Sequence, residues 1–573
     1  MTQKDLTEWL ERQRGENGYL ILTLNREHGD SSFKPVVKNV SGKDLRPREI
    51  ILMEGKLSFP ADTPLYSESY QMLQQTTGTI SRPEPVIGSL TDKDHYRLPS
   101  KEGYNTFYNF VLFEREGHYI LIGFASCRRF TGAFHIASDG RFQIAVETEG
   151  ILFRAGEAWE LEELCVIVEK ERESALEAFG KRIRHNHEVS VPKNRLTGWC
   201  SWYCYSGYIT KELMLKNMRE SKKRGLPLRY IQIDDGYQAY TGDWLDTAPS
   251  FGGDAGELCR EISKEGFTPA IWVAPFVAEA DSSLFQNHPD WFVSHEDGTS
   301  LLAEEVTFRG WEDDPWYMLD PTNPGVQDYL EHVFSMMRKE WGCAYFKLDG
   351  TMWGAIPYGV RYDREKTTVE AYRMGMEAIR RGAGEDSILL GCNAPMWHSI
   401  GTVNAMRTTG DICRRWGTVK CLAKQGFGRN WQNNVLWSND PDCIVLTDNY
   451  RQMVDPAGKA RHQQTLSEEE FRFHIAYILA SGGMVLSGDA IVDLTEKEEE
   501  TLKRVISEIG EAARFDDFTF RTGHTASMDF YFNYGEEPET FALRRVGIDW
   551  FTRERVSENI LVAPHCAAVI VIK

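Results

Sequence analysis

Six short apolar runs between residues 196 and 411 each give way to groups that can bind or transform a polyol: Gly198-Trp199-Cys200-Ser201-Trp202-Tyr203, Asp234-Asp235-Gly236-Tyr237, Trp272 before Ala274-Pro275, Lys347-Leu348-Asp349-Gly350, Cys392-Asn393-Ala394-Pro395 and Arg407-Thr408-Thr409-Gly410-Asp411. Lys347 and Asp349 are two residues apart, so on a strand they share a face while Phe346 and Leu348 take the other. A lysine at that spacing favours the ionised carboxylate, which is the form a carboxylate nucleophile needs. The same spacing suits a buried ion pair inside a barrel with no part in chemistry. Asp411 follows Gly410, whose backbone freedom lets the carboxyl project as an acid. It also stands four residues after Arg407, the spacing of an ordinary ion pair on a helix, and loop capping is a further use.

Asp234 and Asp235 are adjacent and would face opposite ways on an extended strand, so both serve one ligand only if the strand ends there. Two carboxylate acceptors at one place suit neighbouring hydroxyls, while the following glycine marks an alternative reading as a plain turn. Trp202, Tyr203 and Trp272 offer flat faces to a sugar ring, or are core aromatics. Other chemistries have less support. His185-Asn186-His187 imitates a metal-binding pair, but lies in a charged stretch that reads as surface. The chain contains no His-Glu-x-x-His helix, no paired Cys-x-x-Cys spacing and no phosphate-binding glycine loop. A Schiff base at Lys347 needs a neutral amine, and Asp349 on the same face opposes that.

These groups need strands that end together. Residues 19–24, 107–114, 117–126 and 142–147 read as strands between turn clusters, so residues 1–185 are expected to form a β-sandwich domain closed by a helix at 171–184. Pro192 and Lys193 mark a linker. Buried runs then alternate with amphipathic segments: strands at 196–202, 228–233, 267–273, 317–319, 344–348, 387–391, 406–408 and 435–437, with helices at 210–224, 255–265, 325–340, 369–381 and 468–480. That rhythm predicts a (β/α)8 TIM-type barrel over 193–490, whose reactive residues belong at the C-terminal strand ends. A doubly wound open sheet is the alternative, but its glycine-rich turn is missing. A charged helix at 496–509 and strand-like pieces at 527–532, 540–543 and 569–572 predict a small C-terminal antiparallel β domain over 491–573.

Lysine and arginine total 65 against 85 aspartate and glutamate in 573 residues, a formal charge of −20 that repels phosphate backbones and argues against nucleic acid as a partner. The first eight residues carry acids where a secretory signal has a basic start, and no apolar run approaches the roughly 20 residues that span a bilayer. Eleven cysteines, several within apolar strings (Cys165, Cys343, Cys443), read as reduced thiols of a cytoplasmic protein without membrane contact.

At these residues the chain resembles glycoside hydrolase family 36, the α-galactosidase family. The likeness runs from 198–203 through Ile231-Gln232-Ile233-Asp234-Asp235-Gly236-Tyr237, Gly242-Asp243-Trp244, Ile271-Trp272-Val273-Ala274-Pro275-Phe276 and Phe346-Lys347-Leu348-Asp349, and continues in Gly391-Cys392-Asn393, 407–411 and Asn439-Asp440-Pro441-Asp442-Cys443. It implies a β-supersandwich, a catalytic barrel and a C-terminal β domain. It further implies Asp349 as nucleophile, Asp411 as general acid/base, Asp234 and Asp235 as ligands of the sugar's O4 and O6, and Lys347, Cys392 and Arg407 on other hydroxyls. Trp202, Tyr203 and Trp272 would wall the pocket, and Asn393 would lie near the 2-substituent. The implied reaction is retaining hydrolysis of terminal α-galactose from oligosaccharides of the melibiose or raffinose type by double displacement, with carboxyl groups about 5–5.5 Å apart and no cofactor or metal. A lysine near Asp349, with no lysine evident beside Asp411, suits that division of roles. An α-N-acetylgalactosaminidase, a transglycosylase and a sugar-binding protein are the alternatives, and the subunit count is open. The chain differs from the family at two places: residues 66–73 offer Tyr70 where a rim tryptophan is usual, and Asn393 stands where a smaller residue is expected.

Overall fold

A computed structural model describes residues 3–12, 15, 17–27, 31–311, 315–447 and 465–572. In the N-terminal region, two antiparallel sheets of nine and four strands face each other. Alternating residues of both sheets, among them Phe33, Val37, Leu52, Phe113, Ile122, Phe134 and Ile144, bury one shared core. The run expected at 107–114 is divided between the two sheets. Asn109 takes a φ of 69°, a left-handed turn that asparagine tolerates, so Asn105–Tyr108 pairs in the smaller sheet and Phe110–Arg115 in the larger. A helix, Arg172–Asn186, packs its Ala175, Leu176, Phe179 and Ile183 inward and ends the region. His187 beyond it is not a surface residue: it is 4% exposed, and its Nε2 accepts from Cys127 N–H at 3.2 Å.

The central region is an eight-stranded parallel sheet curled into a barrel. Its strands are β1 (Thr197–Cys200), β2 (Tyr230–Ile233), β3 (Thr268–Val273), β4 (Tyr345–Leu348), β5 (Ile388–Gly391), β6 (Ala405–Arg407), β7 (Ser438–Asp440) and β8 (Val485–Ser487), paired in that order with β8 returning to β1. Across the last seam Met484 N–H donates to Asn439 O and Gly488 N–H to Ile444 O, both at 2.9 Å. Two expected strands are displaced. Trp316–Met318 pairs antiparallel with Val277–Glu279 in a two-stranded ladder outside the barrel, and the run at 435–437 precedes β7 instead of forming it. The missing member is β8, three residues whose apolar signal is too short to show a period. The intervening helices start where side chains can take up free backbone N–H groups, as at Thr210, Asp254, Thr367 and Ser467.

After a capped helix, Glu496–Glu508, a six-stranded antiparallel sheet and a separate two-stranded ladder close the chain. The N-terminal sandwich and the barrel interlock through residues 68–75. Met72 N–H donates to Ala394 O, Met396 N–H to Tyr70 O and Gln425 Nε2 to Leu73 O, which wedges that loop between the segments after β5 and β6. Arg429, fully buried, pairs with Glu68 of the loop and donates to Thr408 O after β6.

Candidate active site

The C-terminal strand ends surround a cavity of about 710 Å³ lined by Trp202, Asp234, Asp235, Trp272, Lys347, Asp349, Asn393 and Asp411, among others. Because β2 stops at Ile233 and Gly236 turns with a φ of 109°, the adjacent Asp234 and Asp235 both reach it.

Asp349 leaves the end of β4 half-buried. Its Oδ1 accepts from Gly350 N–H at 2.7 Å and Asn393 Nδ2 at 2.8 Å, and its Oδ2 accepts from Trp272 Nε1 at 3.1 Å. Three donors on three successive strand ends therefore fix one carboxylate. Lys347 does not bond to Asp349 as its spacing suggested. Its Nζ lies 3.0 Å from Asp234 Oδ2, which also accepts from Gln232 Nε2 at 2.6 Å and Cys200 Sγ at 3.3 Å. Burial works against the charge on Lys347, but the carboxylates of Asp234 and Asp349 outweigh it and hold the ammonium well above the usual lysine range. A Schiff-base role requires the opposite. Asp235 is steadied by Gln238 Nε2 at 2.6 Å.

Asp411 is the exposed member, its side chain 67% accessible, in a segment that is not helical. The cation beside it is the one four residues earlier, paired without a helix between them: Arg407 Nη1 meets Asp411 Oδ1 at 2.9 Å. Arg407 is itself 2% exposed, with Nε on Asp440 at 3.2 Å and Nη2 on Asp442 at 2.9 Å, so its charge is divided among three carboxylates.

Three of the expected ligand residues stand behind the cavity wall. Arg407, Cys392 (2% exposed) and Tyr203 (6% exposed) do not line it. Tyr203 turns its hydroxyl to Asp442 Oδ2 at 2.5 Å, and burial pushes the Cys392 thiol well above its ordinary range. Tyr70 is also enclosed, its hydroxyl donating to Ala355 O and contacting His398. A tryptophan does line the cavity with part of its ring exposed: Trp311, 37% exposed and packed edge-on against Trp272. Trp311, Tyr208, Gln238, Tyr240 and Glu279 also line the cavity, beyond the residues that the sequence points to. They sit on the long segments after β1, β2 and β3, where no periodic pattern marks direction; only Gln238, two residues after Gly236, carried a positional hint.

Residues 205–382 match the family model described as Melibiase. This stretch is a melibiase domain. It spans the ends of β2, β3 and β4, hence Asp234, Asp235, Trp272, Lys347 and Asp349, and stops before Asn393 and Asp411. Among curated proteins, the chain is 25% identical over 255 residues to the A type blood alpha-D-galactosamine galactosaminidase of Flavonifractor plautii, covering 42% of this chain and 23% of that one. It is 24% identical over 131 residues to alpha-galactosidase 2 of Pediococcus pentosaceus, covering 22% and 17%. The matches thus span less than a quarter of these relatives' lengths. Solved structures match over far more of the chain. TtGalA, an alpha-galactosidase from Thermus thermophilus in complex with p-nitrophenyl alpha-D-galactopyranoside, superposes with a TM-score of 0.63 at 21% identity over 86% of this chain and 95% of that one. The GH36 alpha-galactosidase AgaA of Geobacillus stearothermophilus gives 0.63 at 12% identity over 97% and 82%. The melibiase domain therefore sits within the fold shared by these glycoside hydrolases. No described helix is long and apolar enough to cross a membrane.

Proposed function

We propose that the protein is a retaining α-galactosidase that removes terminal α-linked galactose from small oligosaccharides. The observation that carries this reading is the carboxylate of Asp349, fixed by three donors, in one cavity with the exposed carboxyl of Asp411. Asp349 attacks the anomeric carbon while Asp411 gives its proton to the departing glycosidic oxygen. A water then attacks the glycosyl ester, Asp411 takes the water's proton, and Asp349 leaves as a carboxylate. Asp234, paired with Lys347, and Asp235, braced by Gln238, accept hydrogen bonds from the sugar's hydroxyls, and Trp202, Trp272 and Trp311 wall its apolar faces. Asn393 presents its amide beside Asp349, with Met72 behind it, at the place where the sugar's 2-substituent is expected. Eleven unpaired cysteines support a reducing compartment, the cytoplasm.

Proton NMR of an aryl α-galactoside digest tests the reading, with Asp349→Ala and Asp411→Ala beside the wild type and aryl α-galactosaminide and α-N-acetylgalactosaminide as controls. First release of α-galactose, lost in Asp349→Ala, is the expected result. First release of the β-anomer would overturn retention, and turnover of only an amino-sugar control would move the specificity.

A further inference from the structure

Asp442 takes no part in the reaction as written, yet its surroundings are built around it. It is 1% exposed and follows β7 with a φ of 74°, a left-handed backbone that a residue with a side chain adopts only when its neighbours hold it there. Its Oδ2 accepts from Tyr203 hydroxyl at 2.5 Å and from Ile412 N–H at 2.6 Å; its Oδ1 accepts from Cys443 N–H at 2.7 Å and faces Arg407 Nη2 at 2.9 Å. Two of these contacts converge on Asp411. Ile412 is the next residue along the chain, so Asp442 pins the backbone of Asp411; Arg407 is the cation that Asp411 itself touches, so Asp442 also fixes the side chain's partner. Asp440 takes the remaining edge of the guanidinium through Nε, leaving Arg407 no rotation toward the cavity.

We infer that Asp442 is a positioning residue that sets both the place of Asp411 and the share of the Arg407 charge that Asp411 receives. The inference rests on the reading of Asp411 as acid/base. Around Asp442 the titratable and charged groups are Tyr203 before the first barrel helix, Arg407 on β6, Asp411 after it, Asp440 and Cys443 on either side, and Tyr477 on the helix Glu468–Ser481. Burial lifts the Asp442 carboxyl to about 6; Arg407 opposes this, and Asp411 and Asp440 reinforce it. Asp411 and Asp442 thus share one guanidinium, each 2.9 Å from it. A neutral amide at 442 leaves the guanidinium more fully to Asp411.

The test is kcat/KM against pH for Asp442→Asn with two substrates. Melibiose has an alkyl leaving group that needs a proton; 2,4-dinitrophenyl α-galactoside does not. The expected result is a loss of about 10- to 100-fold on melibiose, at most about threefold on the dinitrophenyl substrate, and an alkaline limb displaced to lower pH. Tyr203→Phe, which deletes one hydrogen bond and keeps the ring, is expected to move the same quantities in the same direction by less, and it serves alone if Asp442→Asn does not fold. Equal losses on the two substrates with an unmoved limb would overturn the inference and leave Asp442 as packing. Full melibiose activity in Asp411→Ala would instead remove the acid/base reading, and this inference with it.

Discussion

Replacing Arg429 by methionine tests the claim that the sandwich and the barrel are joined at the candidate site. Arg429 and Glu68 are both fully buried, with Nε 3.0 Å from Oε2. The same guanidinium donates to Thr408 O and Gln74 O at 2.9 Å and to Met72 O. Arg429→Met leaves Glu68 with only Gln432 Nε2 and Ser69 N–H, and strips the donor from three carbonyls. Breaking one side of a buried pair costs about 3–5 kcal/mol, and each carbonyl left without a partner adds on the order of 1 kcal/mol. The variant should therefore lose at least about 5 kcal/mol in urea unfolding followed by tryptophan fluorescence. It should also lose turnover, because Thr408 lies three residues before Asp411. Glu68→Leu combined with Arg429→Met should recover the about 3–5 kcal/mol due to the unpaired carboxylate, since an apolar pair replaces both charges, and keep the roughly 3 kcal/mol of the three unpartnered carbonyls. Arg154→Ala is the control: its pair with Glu365 is about half exposed on both sides and is worth about 0–1 kcal/mol. Additive single and double losses, or an Arg429→Met no worse than Arg154→Ala, would refute the reasoning.

Asn393→Ala removes one of the three donors to Asp349 and should lower kcat by about 10- to 100-fold with little change in KM, as read by steady-state kinetics. Lys347→Met leaves the buried Asp234 carboxylate with Gln232, Cys200 and the Asp235 N–H but no cation, and should cost about 3 kcal/mol of galactoside binding, seen as a KM raised on the order of a hundredfold. Burial lowers His187, His398 and His474 to about 3, with Arg373 adding to the effect on the first two and Arg414 on the third. These side chains are neutral in the fold but protonate near 6.5 when it opens, so their contribution is present above pH ~6.5 and is lost as pH falls toward about 3. Unfolding followed by urea should therefore weaken steadily through that window, and His474→Gln should flatten the slope.

The candidate site was readable wherever a strand end announced itself. Asp234, Asp235, Asp349 and Asn393 follow apolar runs directly, and a strand that stops at its last apolar residue delivers them to one mouth. Spacing gave Lys347 the correct side of β4 but the wrong partner. Trp272 on β3 lies beside Lys347 in register, and the interior of a barrel brings alternate strands into one layer, so Lys347 reaches past β3 to Asp234 on β2. Sequence spacing cannot show a contact made across a third strand. The short strands β6, β7 and β8, three residues each, carry less than two alternations, so 485–487 gives no strand signal in the sequence and the run at 317–319 reads as a barrel strand in its place. Arg407 and Tyr203 are polar residues at a strand end like the others, and only the burial of Asp440 and Asp442 beside them turns them away from the cavity.

The loop at 68–75 has a consequence for how such a protein can change. Met72 Sδ stands 3.2 Å from Asn393 N and Leu73 packs toward Gly410, so residues that do no chemistry form the backing on which two of the candidate site residues rest. Selection acting on the sandwich can then retune substrate choice while the barrel's aspartates stay untouched. A chimaera that exchanges this sandwich for a relative's would inherit the relative's preference along with its loop.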